Sequence, residues 1–251
     1  MKKLLSIVFC AAAVSAFGEE TATAERTADL GTVGVTAITS SLSNTIVAVS
    51  YDDLAGGEGM VCSNLVKTTN LTEGDMLVEF RDDKYTGWVL MEDQGTKVKY
   101  WKEHLGAFVD SAGKQLMLVG SSADTVTNMV GTGIWLVRKK PTAKNQTDGE
   151  EVPVPFYIYG KPVSDPVSHI SANTWTLVGN PLQNTTVTAS TIQVTDAKTG
   201  DQIVTVGENG TLLYFAYVKN QGWSGLPDIG PGIGFWIKTQ ADTTITWPKE
   251  H

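Results

Sequence analysis

Apolar and polar residues alternate with a period of two along most of this chain. Met76, Val78 and Phe80 alternate with Leu77, Glu79 and Arg81, the pattern of a strand whose two faces meet different surroundings. Asp82-Asp83-Lys84 has turn chemistry and residues 85–91 return, so 76–91 is predicted to be a hairpin. Further strands are predicted at 45–51, which is rich in β-branched residues, and at 96–101, 114–119, 134–138 and 156–159. A second set is predicted at 175–178, 203–206, 211–218, 234–239 and 243–247. Stretches 196–201 and 207–210 hold Gly and Asn, which tolerate positive φ, and are predicted turns. No segment of a dozen residues keeps a helical apolar stripe. Single helical turns fit only at 104–110 and 124–129, so helices are predicted to be few and short.

The pattern also repeats. Gly131-Thr132-Gly133-Ile134-Trp135-Leu136 aligns without gaps to Gly232-Ile233-Gly234-Phe235-Trp236-Ile237. With one gap, GDMLVEFRDDKYTGW at 74–88 aligns to GTLLYFAYVKNQGW at 210–223. Upstream, Leu177-Val178-Gly179-Asn180 fits Ile46-Val47-Ala48-Val49 by order and Leu118-Val119-Gly120-Ser121 by letters. The fold class predicted is all-β, with two tandem related sandwich-like or barrel-like units. The glycines of Gly230-Pro231-Gly232-Ile233-Gly234 lead into a strand with no helix to follow. They read as a tight turn and a close backbone approach, not as a phosphate cradle.

The first residues break the pattern. Lys2 and Lys3 precede an apolar run at 4–14, and small residues follow, with cleavage expected after Ala16 or Gly18. The run is shorter than the roughly 20 apolar residues a membrane span needs. The organisation expected is a signal peptide at 1–18, a polar leader at 19–30 and a first β unit at 31–140. A linker or long loop at 141–154, without large apolar residues apart from Val152 and Val154, then leads to a second β unit at 155–248. Cleavage would remove Cys10 and leave Cys62 as the one cysteine, a small apolar core residue in the run Met60-Val61-Cys62. The chain has 27 acidic and 19 basic residues, a net charge of −8, and loses Lys2 and Lys3 on cleavage, reaching −10. That balance disfavours nucleic acid and anionic membrane. The one basic cluster, Arg138-Lys139-Lys140, reads as a solvated strand end.

Candidate chemistry is sparse. The histidines, His104, His169 and His251, are far apart and lack metal-ligand spacing. Asp52-Asp53 and Asp82-Asp83 are paired acids outside any DxDxDG calcium loop. No GxSxG occurs; Gly222-Trp223-Ser224-Gly225 only echoes it. Catalytic residues, metals and cofactors are therefore not expected. Asn70, Asn145, Asn184 and Asn209 head N-x-Thr sequons, read as incidental in a Thr-rich chain. The tryptophans are the one fork: Trp88, Trp101, Trp135, Trp175, Trp223, Trp236 and Trp247. Buried, they anchor sheets; exposed in a row, they stack on sugar rings. Trp135 and Trp236 recur with the repeat and read as core. Trp101, on a face with Lys97 and Lys99, and Trp88 and Trp223, after hairpin glycines, are the tentative carbohydrate-stacking residues.

Trp175-Thr176-Leu177-Val178-Gly179-Asn180-Pro181 and Pro231-Gly232-Ile233-Gly234-Phe235-Trp236 carry a resemblance. They resemble β-rich repeat modules of large exported or surface-attached proteins of Bacteroidetes and of the Planctomycetes–Verrucomicrobia–Lentisphaerae group, which carry W-x-L-[VI]-G-N-P and P-G-x-G-F-[WF]. The match spans 175–247; earlier, 131–136 keeps only the second motif and Tyr51-Asp52 replaces Asn-Pro. The resemblance implies an exported adhesion, scaffold or display role and supplies no catalytic residues. The expected function is a secreted or cell-surface, non-catalytic structural or interaction module of a bacterium, with an unknown protein or polysaccharide as partner. The alternatives are a carbohydrate-binding module and a small secreted hydrolase.

Overall fold

A strand with period-two patterning has to bury at least one face, and this chain does so by pairing sheets twice over. The computed structural model describes residues 33–54, 56–61, 64, 71–81, 84–104, 108–109, 115–116, 127–207 and 210–248. The first repeat begins with β1 (Gly34–Ile38), β2 (Asn44–Ala48), β3 (Tyr51–Asp52) and β4 (Met60–Val61). It continues through β5 (Met76–Arg81), β6 (Lys84–Glu92), β7 (Lys99–His104), β8 (Phe108–Val109), β9 (Gln115–Leu116) and β10 (Thr127–Asn128). It closes with β11 (Gly133–Val137), β12 (Thr142–Lys144), β13 (Glu151–Pro153) and β14 (Phe156–Pro162). The second repeat holds β15 (Val167–Ile170), β16 (Trp175–Gly179), β17 (Gln193–Val194) and β18 (Gln202–Val206). It ends with β19 (Leu212–Val218), β20 (Gly222–Trp223), β21 (Gly234–Lys238) and β22 (Thr243–Thr246). The protein is all-β, and 108–109 and 127–128 are strand where single helical turns were predicted.

Each repeat is a two-sheet sandwich. The first pairs a three-stranded sheet, β1-β14-β3, with a five-stranded sheet, β2-β11-β5-β6-β7; the second has β15-β22-β17 and β16-β21-β18-β19-β20. All the pairings within these sheets are antiparallel. The first core lies between its sheets and includes Ile38, Tyr51, Leu77, Trp88, Ile134 and Ile158. The second includes Ile170, Ile203, Trp223, Phe235, Ile245 and Trp247. Segment 141–154, expected as a linker or long loop, holds the β12–β13 hairpin, and β14 beyond it pairs with β1 of the first repeat. The first repeat therefore runs to Pro162. A polar hairpin pairs through its backbone and needs no apolar signature, which is why composition alone read it as a loop.

The registers place the repeats position by position. Trp135 pairs with Ile46 and Val78; Trp236 pairs with Leu177 and Val204. Ile46, Val47 and Ala48 thus match Leu177, Val178 and Gly179, the order of a simple duplication; 118–121 lies outside the described residues. Leu77 pairs with Trp88, and Ile203 with Phe215, so Trp88 corresponds to Phe215. Leu90 pairs with Trp101, and Tyr217 with Trp223, so Trp223 corresponds to Trp101. The letter alignment of 74–88 with 210–223 is thereby corrected: Gly74 corresponds to Gly200, each at positive φ, 89° and 99°.

A buried aspartate follows each of these glycines. Asp75 accepts hydrogen bonds from the Thr72 N–H (2.9 Å) and the Lys139 N–H (2.7 Å). Asp201 accepts from the Lys198 N–H (2.8 Å) and the Gln240 N–H (3.0 Å) in the same way. Each carboxylate ties the turn before one strand to the end of its neighbour.

The outer faces of the two five-stranded sheets pack on each other through Ile46, Leu177, Val204 and Trp236, with Phe80, Tyr85, Trp135 and Trp175 against them. Trp135 and Trp236 meet edge to face at 6.0 Å. At one end the backbones themselves touch: the Ala48 N–H donates to Gly232 O at 2.8 Å, and its counterpart, the Gly179 N–H, to Gly131 O at 3.0 Å. A Cβ on Gly133 would stand 2.7 Å from Val178 O of the other repeat, and one on Gly234 would run into the Ile46 side chain across the seam. Glycine is required here by close approach, as the sequence reading anticipated. Gly234→Val should therefore force the seam apart and cost about 3 kcal/mol, the upper range for overpacking. Urea unfolding of the variant beside the wild type measures it.

Candidate functional site

The three candidate stacking residues do not form a surface. Trp88 is 0% exposed and Trp223 is 3% exposed, each inside its own repeat's core. Trp101 is half-buried against the first core. The expectation that Trp101 shares a solvated face with Lys97 fails because the turn 93–97 intervenes. Lys97 sits at φ 61°, and the strand begins at Lys99. Lys99 Nζ donates to Leu71 O at 2.6 Å, and it is Tyr100, on the opposite face, that is exposed. Trp101 and Trp223 are one core position occupied twice, on strands that belong to different sheets.

A cleft of about 290 Å³ opens beside the seam, with Glu79, Met129, Ser168, His169 and Trp175 among its lining residues. Ser168 is fully engaged: its Oγ accepts from Trp247 Nε1 at 2.9 Å and donates to Gly131 O at 2.9 Å. It ties the second repeat to the first. His169 is exposed and lies opposite Thr244 on β22. His104 lies on β7 opposite Gly87, in the other repeat. Trp175 is half-buried, with Lys238 Nζ 5.9 Å from its ring centroid. Tyr85, in the aromatic seam 4.7 Å from Phe80, has its phenol pKa pushed up by burial.

Arg138, Asp52 and Asp53 each make hydrogen bonds within the fold. Arg138, expected in a solvated cluster, is 2% exposed, while Lys139 and Lys140 are exposed. Its Nη1 donates to Val154 O at 2.6 Å and its guanidinium lies 5.5 Å from the Phe156 ring centroid. Burial lowers its pKa and nearby Asp75 opposes that. Asp52 Oδ1 accepts from the Gly59 N–H at 2.6 Å, and Asp53 Oδ2 from Asn64 Nδ2 at 2.6 Å. Among the described residues no group of three or more His, Cys, Asp or Glu gathers as a metal site. Asp82, Asp83, Cys62, Asn70, Asn209 and His251 lie outside the described residues.

One surface remains that patterning missed. Residues 212–218, Leu-Leu-Tyr-Phe-Ala-Tyr-Val, form a continuous apolar run, the signature of a strand covered on both faces. The structure leaves Leu212 45%, Leu213 40% and Tyr214 66% exposed.

Comparison with family models, curated proteins and solved structures finds no match to this chain. Among the described residues no helix is long and apolar enough to cross a membrane.

Removing the Ser168 hydroxyl strands the Trp247 N–H in a buried setting. Ser168→Ala should cost about 1–3 kcal/mol, and Asp201→Ala, which leaves two backbone N–H groups without their acceptor, about as much or more. Thermal and urea unfolding read both; a neutral result for either removes its assigned role.

Proposed function

We propose that this chain is an exported, non-catalytic structural and interaction module of a bacterial surface. The observation that carries the reading is the use of the large aromatic side chains: Trp88, Trp223, Trp236 and Trp247 are buried in cores and seam, welding two repeats into one block. The residues that resemble surface-protein repeat modules have architectural duties. Leu177 packs in the seam, the Val178 carbonyl faces two glycines, and Gly179 lies against Ala48. Asn180 is fully buried; its Nδ2 donates to Thr185 O (2.9 Å) and Ile229 O (3.0 Å), and its Oδ1 accepts from the Leu182 N–H at 3.1 Å. A motif spent on architecture fits a module whose task is to hold and present surface.

Two measurements test this. N-terminal sequencing of protein recovered outside the cytoplasm should begin after Ala16 or Gly18. Panels of glycans, peptides and esters should show no turnover, and polysaccharides should give no saturable quenching of tryptophan fluorescence. Turnover abolished by a point change would overturn the reading in favour of a hydrolase; saturable quenching would favour a carbohydrate-binding module.

A further inference from the structure

We infer that the seam between the repeats is a two-fold docking interface, and that the seam face of the second repeat takes the same face of another copy as well as the first repeat. The inference rests on the geometry of the joint and stands apart from the surface role proposed above.

A two-fold interface has a signature. Where position i of one body touches position j of the other, j of the first touches i of the second, and positions at the axis touch their own equivalents. Ala48 is equivalent to Gly179, and Gly131 to Gly232. The Ala48 N–H donates to Gly232 O, and the Gly179 N–H donates to Gly131 O. Val47 bridges to Ile233, and Val178 bridges to Thr132. The glycines lie against reciprocal side chains too. A Cβ on Gly232 would meet Thr36 of β1, and one on Gly131 would meet Ser168 of β15. Thr36 and Ser168 stand opposite Ile158 and Ile245, each a core residue of its own repeat. Equivalent positions also face each other. Trp135 meets Trp236 at 6.0 Å, and Ala48 lies where a Cβ on Gly179 would project. The axis runs between these two pairs.

Two faces that fit about a two-fold axis are copies of one shape, so each fits itself unless a residue on the axis forbids it. One residue does. A Cβ on Gly179 would run into the Ala48 Cβ, so two alanines cannot face each other there, whereas two glycines can. The second repeat is therefore self-complementary and the first is not. In a pair of second repeats the Gly179 N–H and the Ser168 hydroxyl find Gly232 O in place of Gly131 O, and Trp236 meets Trp236. In the intact chain the first repeat holds this face. The connection between β14 and β15 is short, and Ser164 and Asp165 are exposed within it. A connection of this kind supplies an effective concentration of about millimolar, so cutting it lets a second copy compete.

The test uses the full chain with a protease site inserted between Ser164 and Asp165, cut after folding. Native mass spectrometry from about 0.1 to 50 μM reads which pieces pair. Pairs of second repeats should appear beside the native pair, and pairs of first repeats should not. Gly133→Val, which bars the first repeat from Val178, should raise the second-repeat pair about tenfold relative to the native pair. Gly234→Val should remove it, and Ala48→Gly should let first repeats pair. Where Gly133→Val does not fold before cutting, the wild-type protein still decides. No second-repeat pair from the cut wild type overturns the inference, as does one that survives Gly234→Val or a first-repeat pair formed without Ala48→Gly. Second-repeat pairing in a protein that also turns over substrate sustains it while the surface role falls.

Discussion

The Val178 carbonyl oxygen lies where a side chain on Gly133 would otherwise project, Ile46 lies where one on Gly234 would, and that crowding across the seam decides how the two repeats meet. Strand backbones approach this closely only where a Cβ is missing, so the contact fixes the relative position of the sheets more tightly than apolar packing does. Apolar packing tolerates sliding; two hydrogen bonds at 2.8 and 3.0 Å between Ala48 and Gly232 and between Gly179 and Gly131 do not. The edge-to-face pair of Trp135 and Trp236, 6.0 Å apart, is then a consequence, since both stand two residues beyond their repeat's glycine. Ser168 adds a third tie by linking Trp247 to Gly131.

The two repeats agree where the fold requires it and differ elsewhere. Gly74-Asp75 and Gly200-Asp201 make the same turn, the same carboxylate clip and the same contact with the strand beyond. The single Trp101 and Trp223 position is retained as a core anchor. Differences gather at the margins. The first repeat adds the β12–β13 hairpin before its closing strand, and the second shortens the outer strand of its large sheet to Gly222–Trp223. The shortening exposes a strand whose counterpart is covered, without any change of charge to offset it.

Much of this architecture was legible. Period-two alternation located most strands, and Gly-x-Gly-aromatic-Trp marked the two copies of the strand that sits at the seam. The register of the remaining strands was not. Gly74 and Gly210 both precede a strand, and both strands lead to Gly-Trp, so letters equated β5 with β19. Alternation is identical in neighbouring strands, and only the pairing of Leu77 with Trp88 and of Ile203 with Phe215 separates them. The Gly-Asp pairs carried the right signal and were visible, but an aspartate in a turn looks alike whether it faces water or caps a buried N–H. The exposure of Trp101 was misjudged because a strand face was extended through Lys97, which a left-handed turn removes from it. Likewise Arg138 looked solvated beside two exposed lysines, although the carbonyl and ring that receive it lie on 154–156, beyond the hairpin.

Because Leu177, Gly179, Asn180, Gly232 and Gly234 are consumed by the seam, the turn and the second core, they say little about what the chain binds. A chain that kept Trp175, Leu177, Gly179, Asn180, Gly232, Gly234 and Trp236 would keep the joint between sheets whatever it displayed. Where the copies part company, a change leaves both cores intact. On that ground the charged outer strand of the first repeat and the bare one of the second are alternative solutions to one geometric problem. Lys99 and Lys102 put charge on β7, which discourages a further strand, whereas β19 carries no charge at all.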